Sequence, residues 1–280
     1  MSDRSTRPAV GAPAGAVGAL VRLTLADLLR TQRAALVAVV LALPVAFAVV
    51  WSLTEWITGD ALVTWGKIFI LGYLNMAVPF TALIVGASLI GAEHESQTLV
   101  YLLTRPVARW KTALVKFATA AVLCVAGVVA SMALAFAALF LHFGLGGLPG
   151  RGPMMVEAFP FWLHLAGVGA AATVVYLAVF FLAGMTLRRP VTAGVLFIVV
   201  WEGLVGFVRG VIRFATVVHY LRSLAIAGAT KHEVLLDSII TVEAIPAWAA
   251  SVVLAALTGI LLSAALGYFS RAEYPTSPDR

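Results

Sequence analysis

Long uninterrupted apolar runs dominate the chain. Five segments contain no Asp, Glu, Lys or Arg, and each exceeds the roughly 18 residues that mark a candidate transmembrane helix. These segments are residues 34–54, 68–92, 117–150, 158–187 and 244–270. A sixth run, 191–207, is interrupted only by Glu202 and keeps a high density of Val, Leu, Ile and Phe. The pattern predicts six transmembrane helices.

Composition agrees with this pattern. Hydrophobic residues make up 62% of the 280 residues and charged residues only 11%, whereas soluble domains carry about 25% charged residues. The predicted fold class is therefore all-α integral membrane, with a single membrane domain over residues 18–270. Residues 1–17, rich in Ala, Gly and Pro, are predicted to be a disordered cytoplasmic tail. Residues 271–280 are predicted to be a second cytoplasmic tail.

The distribution of Lys and Arg predicts the orientation. If the N-terminus is inside, thirteen of the 19 basic residues fall on inner segments and six on outer ones. Because basic residues accumulate on the cytoplasmic side, both termini are predicted to be cytoplasmic, with the chain in the plasma (inner) membrane. The net charge of +6 reflects this bias, so we do not interpret it as a sign of nucleic-acid binding.

A helix that lies in the inner headgroup layer is predicted from Gly18 to Arg33, because its apolar and charged residues separate on a helical wheel. The alternative is a plain cytoplasmic extension of the first span. A cleaved signal peptide is disfavoured, since the run 34–54 is longer than a signal h-region of 7 to 15 residues. The apolar side holds Val21, Leu25, Leu28 and Leu29, and the charged side holds Arg22, Asp27, Arg30 and Arg33.

Catalytic and metal-binding motifs are incomplete in this sequence. His94-Glu95 begins like the zinc motif H-E-x-x-H, but Thr98 stands where the second histidine is needed, so that site is excluded. No phosphate-binding loop is present, and we predict that the chain is not itself an enzyme. A metal held by His142, Glu157 and His164 is a minor alternative. The sole cysteine, Cys124, is predicted to serve in packing.

The most informative polar segment is residues 92–111, between the second and third runs. Apolar residues recur there at the i, i+3, i+4 spacing of a short amphipathic helix. Carboxylates near its start suit the helix dipole, and Pro106 ends it. The alternative is an ordinary solvated connector between two spans. The apolar positions are Leu99, Leu102 and Leu103, and the carboxylates are Glu93 and Glu95.

This segment resembles a pattern of the permease subunits of type-2 ABC exporters, E-x-E-x-G-T-L-x-x-L-L-[ST]-x-P-[VI]-x-R-x-x-[ILW]-x-x-x-K. One departure is Gln97, where the family usually has glycine. The six-span layout and the amphipathic helix before the first span are also similar, so the resemblance takes in 18–270 as one permease domain. The matching residues are Glu93, Glu95, Thr98, Leu99, Leu102, Leu103, Thr104, Pro106, Val107, Arg109 and Lys116.

The resemblance implies a mechanism and a set of partners. Residues 93–105 would form a coupling helix seated on a separate ABC ATP-binding subunit, which would hold the ATP and Mg²⁺, leaving no cofactor in this chain. Two permeases, a second copy or a paralogue, would complete the transporter. The residues assigned to the ATPase contact are Glu93, Glu95, Leu99, Leu102, Leu103 and Arg105.

Glu202 is an intramembrane acid and is predicted to face the protein interior, because a carboxylate near a helix centre costs about 2.5 to 3.5 kcal/mol on insertion scales. Arg209 and Arg213 follow at helical spacing and are its predicted partners. Two other classes of membrane protein remain as alternatives. One is a secondary transporter or channel, which would show inverted repeats or more intramembrane charges. The other is an intramembrane enzyme, which would need a clustered nucleophile or metal.

Overall fold

The computed structural model describes residues 14–30, 32–53, 61–89, 109–145, 155–205, 211–227 and 245–271. These residues form helices and short connections, with no strand among them. Nine α-helices, two π-helical segments and one 3₁₀ helix follow one another in this part of the chain. The α-helices are α1 Ala14–Arg30, α2 Gln32–Leu53, α3 Ala61–Lys67, α4 Val78–Gly86, α5 Arg109–Leu145, α6 Met155–Thr186, α7 Pro190–Leu196, α8 Val217–Ala227 and α9 Ala247–Arg271.

Three segments have a different helical geometry. The first π segment, Ile68–Ala77, joins α3 to α4, so the three elements form one continuous helix. The second π segment, Phe197–Leu204, continues α7. The 3₁₀ helix Val211–Ala215 leads into α8. The π-helical geometry is rare, and it occurs frequently at functional sites.

Five helices are long and apolar enough to cross a membrane, and they correspond to the five uncharged runs. We refer to the second of them as the second span. Their bounds are Gln32–Leu53, Leu62–Gly86, Trp110–Phe140, Ala158–Thr186 and Ala247–Ser270.

The sixth apolar run is helical over Pro190–Leu204, and its last residues, 206–207, lie outside the described residues. Pro190–Leu204 combines seven α-helical and eight π-helical residues, which rise only about 20 Å at roughly 1.5 Å per residue. The hydrocarbon core is about 30 Å thick. The described part of this helix stops close to Glu202, whose carboxylate binds amides of another helix, α8. Whether this segment crosses the membrane remains a prediction.

The predicted amphipathic helix is present as α1, with two corrections. It begins at Ala14 rather than Gly18, so residues 14–17 belong to the helix and not to the predicted tail. Leu28 and Thr24 are buried, whereas Leu29 is 60% exposed. Of the four predicted apolar residues, Val21, Leu25 and Leu28 are buried or partly buried, and Leu29 is the exposed exception on a helix that packs along α5.

The second span and α6 approach each other closely near the ends Gly86 and Thr186. A Cβ added at Gly184 would lie 2.8 Å from the carbonyl oxygen of Ala87, and one at Gly86 would lie 3.1 Å from the backbone nitrogen of Phe181. Small residues allow membrane helices to pack backbone against backbone in this way. These glycines fix the spacing of the two helices at this end of the bundle.

Candidate functional site

The predicted ATPase-contact residues lie outside the part of the chain that the structure describes. This applies to Glu93, Glu95, Leu99, Leu102, Leu103 and Arg105. Description of the chain stops at Leu89, just past α4, and resumes at Arg109, where α5 begins. Their role as a coupling surface therefore stays a prediction.

Glu202 is the centre of a buried polar cluster. Its side chain is only 3% exposed and lies in the second π segment. One carboxylate oxygen, Oε1, accepts a hydrogen bond from the amide of Val217 at 3.0 Å. The other, Oε2, accepts one from the amide of Val218 at 2.9 Å. Glu202 thus faces the interior of the protein, away from lipid.

The two amides belong to the N-terminus of α8, which explains why a carboxylate is stable there. The first amides of an α-helix have no partner within the helix, and they carry the positive end of the helix dipole. In an apolar interior no water is available to satisfy them. The Glu202 carboxylate supplies both the missing acceptors and the complementary charge.

Arg222 is the second charged member of the cluster. It lies five positions after Val217 on α8 and is 1% exposed. Its guanidinium donates a hydrogen bond from Nη2 to Oδ1 of Asn75, at 3.0 Å. The side chain of Tyr176, on α6, is also buried, and its hydroxyl has no hydrogen-bond partner among the described residues. The bundle thus encloses one acidic and one basic side chain, and both make hydrogen bonds that involve α8.

The helix α8 is short and is embedded among longer helices. Most of its side chains are buried. Its N-terminus meets Glu202, while towards its other end the carbonyl of Leu224 lies 3.1 Å from Nε2 of His164 on α6. The hydroxyl of Ser223 accepts a hydrogen bond from the amide of Ile245, just before α9, at 3.4 Å. Side chains and backbone on several helices thus hold α8 in place.

The structure gives Glu202 partners that sequence reasoning did not name. Arg209 lies outside the described residues. Arg213 is described, on the 3₁₀ helix, and its guanidinium lies 5.3 Å from the ring centre of Phe214; its pairing with Glu202 stays a prediction. Two sequence features could have indicated the cluster, namely the lone Arg222 in an apolar stretch too short to span and the amide side chain of Asn75 within the second run.

The minor metal alternative involves side chains that lie mostly outside the described residues. The side chains of His142 and Glu157 lie outside them, and the ring of His164 contacts the carbonyl of Leu224. No group of three potential metal ligands occurs among the residues described. Cys124 is buried in α5, where it packs with apolar neighbours.

These features define a class, that of multi-pass α-helical membrane proteins with a short helix embedded between longer ones. A family model described as "ABC-2 family transporter protein" matches residues 28–201. The chain belongs to this family, which confirms the predicted resemblance to ABC permeases. No curated protein sequence matches it. The family match includes Asn75 and Tyr176 and ends one residue before Glu202.

Membership of this family makes the chain an ABC transporter permease of the membrane. Such a permease generally does not hydrolyse ATP itself, and membership implies an ATP-binding partner subunit.

Proposed function

We propose that this chain is the permease subunit of an ABC exporter, driven by a separate ATP-binding subunit that docks on residues 93–105. The observation that carries the proposal is the family match over residues 28–201, which includes the polar motif at 93–105. A second copy or a paralogue of the permease completes the complex. The working complex lies in the plasma (inner) membrane, and the chain spans it six times with both termini cytoplasmic.

The docking surface is amphipathic and carries charge at one end. Glu93 and Glu95 provide two negative charges, and the leucines at 99, 102 and 103 provide an apolar strip. A coupling element of this kind transmits work only if the partner binds it differently in two nucleotide states. The expected result of ATP binding is therefore a displacement of this segment and of the second span before it.

The competing interpretation of Glu202 as part of an ion pathway loses support. As part of an ion pathway, Glu202 would have to bind a proton or an ion through its carboxylate. In this chain both carboxylate oxygens already accept hydrogen bonds from backbone amides. The cluster is therefore better interpreted as the attachment of α8 to the second π segment.

Charge reversal at the docking surface tests the proposed function. The double variant Glu93→Lys and Glu95→Lys should insert normally but lose co-purification with the ATP-binding subunit and lose coupled ATP hydrolysis. The matched control reverses the two acidic residues at Glu233 and Asp237, which the topology places on the outer side. The control should behave as the native chain. Intact co-purification in the first variant, or equal loss in both, would contradict the docking assignment.

A further inference from the structure

Each π segment contributes a polar side chain that binds α8. Asn75 lies in the first π segment and binds Arg222, whereas Glu202 lies in the second and binds the amides at the start of α8. The two segments come from different parts of the sequence and contact each other in the bundle. The helix α8 is thus held at two points, and one of them belongs to the second span.

The Asn75 attachment is positioned by its surroundings. Two residues earlier, the hydroxyl of Tyr73 is 2.9 Å from Oγ of Ser131, which donates to the carbonyl of Leu41 at 2.7 Å. Since Ser131 uses its own proton for Leu41, Tyr73 is the donor in the first bond. The first π segment is therefore fixed to α2 and α5, and Asn75 is presented to α8 from a defined position.

The Asn75–Arg222 bond is also difficult to replace. Arg222 is 1% exposed, so water cannot readily take the place of the lost acceptor. A guanidinium in an apolar interior needs hydrogen-bond partners for its charge to be tolerated. Any movement of the first π segment that keeps this bond must move α8 as well.

We propose that Asn75 is a positioning residue for transport, because its bond to Arg222 transmits displacement of the second span to α8. The proposal rests on the proposed function, since the displacement originates at residues 93–105, which follow the second span directly. In this mechanism the ATP-binding subunit moves the second span, and α8 changes its place among α6, α9 and the second π segment. A purely structural brace would stabilise α8 without making its position depend on nucleotide.

The test measures the position of α8 without requiring a transport substrate. A cysteine is introduced as Ala225→Cys in a Cys124→Ala background, and the full complex is reconstituted in nanodiscs. Ala225 is fully buried, so its reaction rate with N-ethylmaleimide reports exposure of α8. In the native complex, the rate with ATP and vanadate should differ from the nucleotide-free rate by about fivefold or more, the lower range of allosteric coupling.

Variants of Asn75 distinguish a positioning role in transport from a purely structural role. Asn75→Leu keeps the approximate size but removes the acceptor, and it should abolish the nucleotide dependence of labelling while the ATP-binding subunit remains bound. Asn75→Asp keeps an oxygen acceptor for Arg222 and should retain the dependence. The matched control is Thr81→Val in the same span, because the Thr81 hydroxyl is buried without a hydrogen-bond partner among the described residues. It should behave as the native chain.

A second variant keeps the test decisive if Asn75→Leu fails to fold. Arg222→Met keeps a side chain of similar length but removes the donor that binds Asn75, and it should also abolish the nucleotide dependence. Labelling that stays nucleotide-dependent in the folded variants would overturn the inference. So would nucleotide-independent labelling of a native complex that hydrolyses ATP. A native chain that binds no ATP-binding subunit would instead overturn the proposed function, and this inference with it.

Discussion

Replacing Glu202 tests whether its carboxylate holds α8. In Glu202→Ala both amides, those of Val217 and Val218, lose their acceptor in a buried site. Each orphaned buried donor costs about 1 to 3 kcal/mol, so we expect a loss of roughly 2 to 6 kcal/mol in the free energy of unfolding. Glu202→Gln keeps one oxygen acceptor, and its loss should be about half as large, roughly 1 to 3 kcal/mol.

The assay is reversible unfolding of the purified chain in mixed micelles, followed by tryptophan fluorescence. The expected order of stability is native, then Glu202→Gln, then Glu202→Ala. A matched control is Val200→Ala in the same π segment, whose side chain is 45% exposed and should change stability little. If Glu202→Gln and Glu202→Ala were equally stable, or neither differed from native, the two amides would not depend on the carboxylate and the reasoning would be refuted.

Two further predictions address helix packing and topology. Gly184→Ala should lower the free energy of unfolding by about 1 to 3 kcal/mol, because its Cβ would meet the backbone of Ala87 and overpacking carries such costs. Gly167→Ala, with no atom within 4 Å of its added Cβ, should be neutral or slightly stabilising in the same unfolding assay; equal losses in the two variants would contradict the close contact. Single cysteines at Pro149 and Arg189, on a background without the native cysteine, should react with an impermeant reagent at 149 only. Labelling at both positions, or at 189 only, would exclude the predicted topology.

Sequence reasoning predicted the features that depend on local pattern. Five uncharged runs became five long apolar helices, and the amphipathic segment became α1. The insertion cost of a carboxylate was enough to predict that Glu202 faces inward. The family resemblance, carried mainly by residues 93–116, was confirmed by the match over residues 28–201.

The rest depends on contacts between distant parts of the chain. The partners of Glu202 are backbone amides. Because every residue except proline has one, the sequence does not show which amides bind the carboxylate. The Asn75–Arg222 bond joins positions 147 residues apart. The helix α8 has only 11 residues, and a short apolar stretch of this kind is hard to distinguish from a loop or an interfacial segment by periodicity alone. The apolar pattern of the sequence also gives no indication of the two π segments.

The residues that hold α8 come from distant parts of the chain, and this affects how α8 is inserted into the membrane during synthesis. A helix of 11 residues that carries Arg222 is too short and too polar to enter the bilayer as an independent unit. Its polar partners on the second span, α6 and the second π segment leave the ribosome earlier, whereas α9, against which α8 also packs, leaves it later. Stable insertion of α8 therefore depends on the earlier helices for its polar contacts and is completed only when α9 packs against it. In a chain that ends soon after Glu202, the carboxylate would be synthesised without the helix that neutralises it, so such fragments should be targets of membrane quality control.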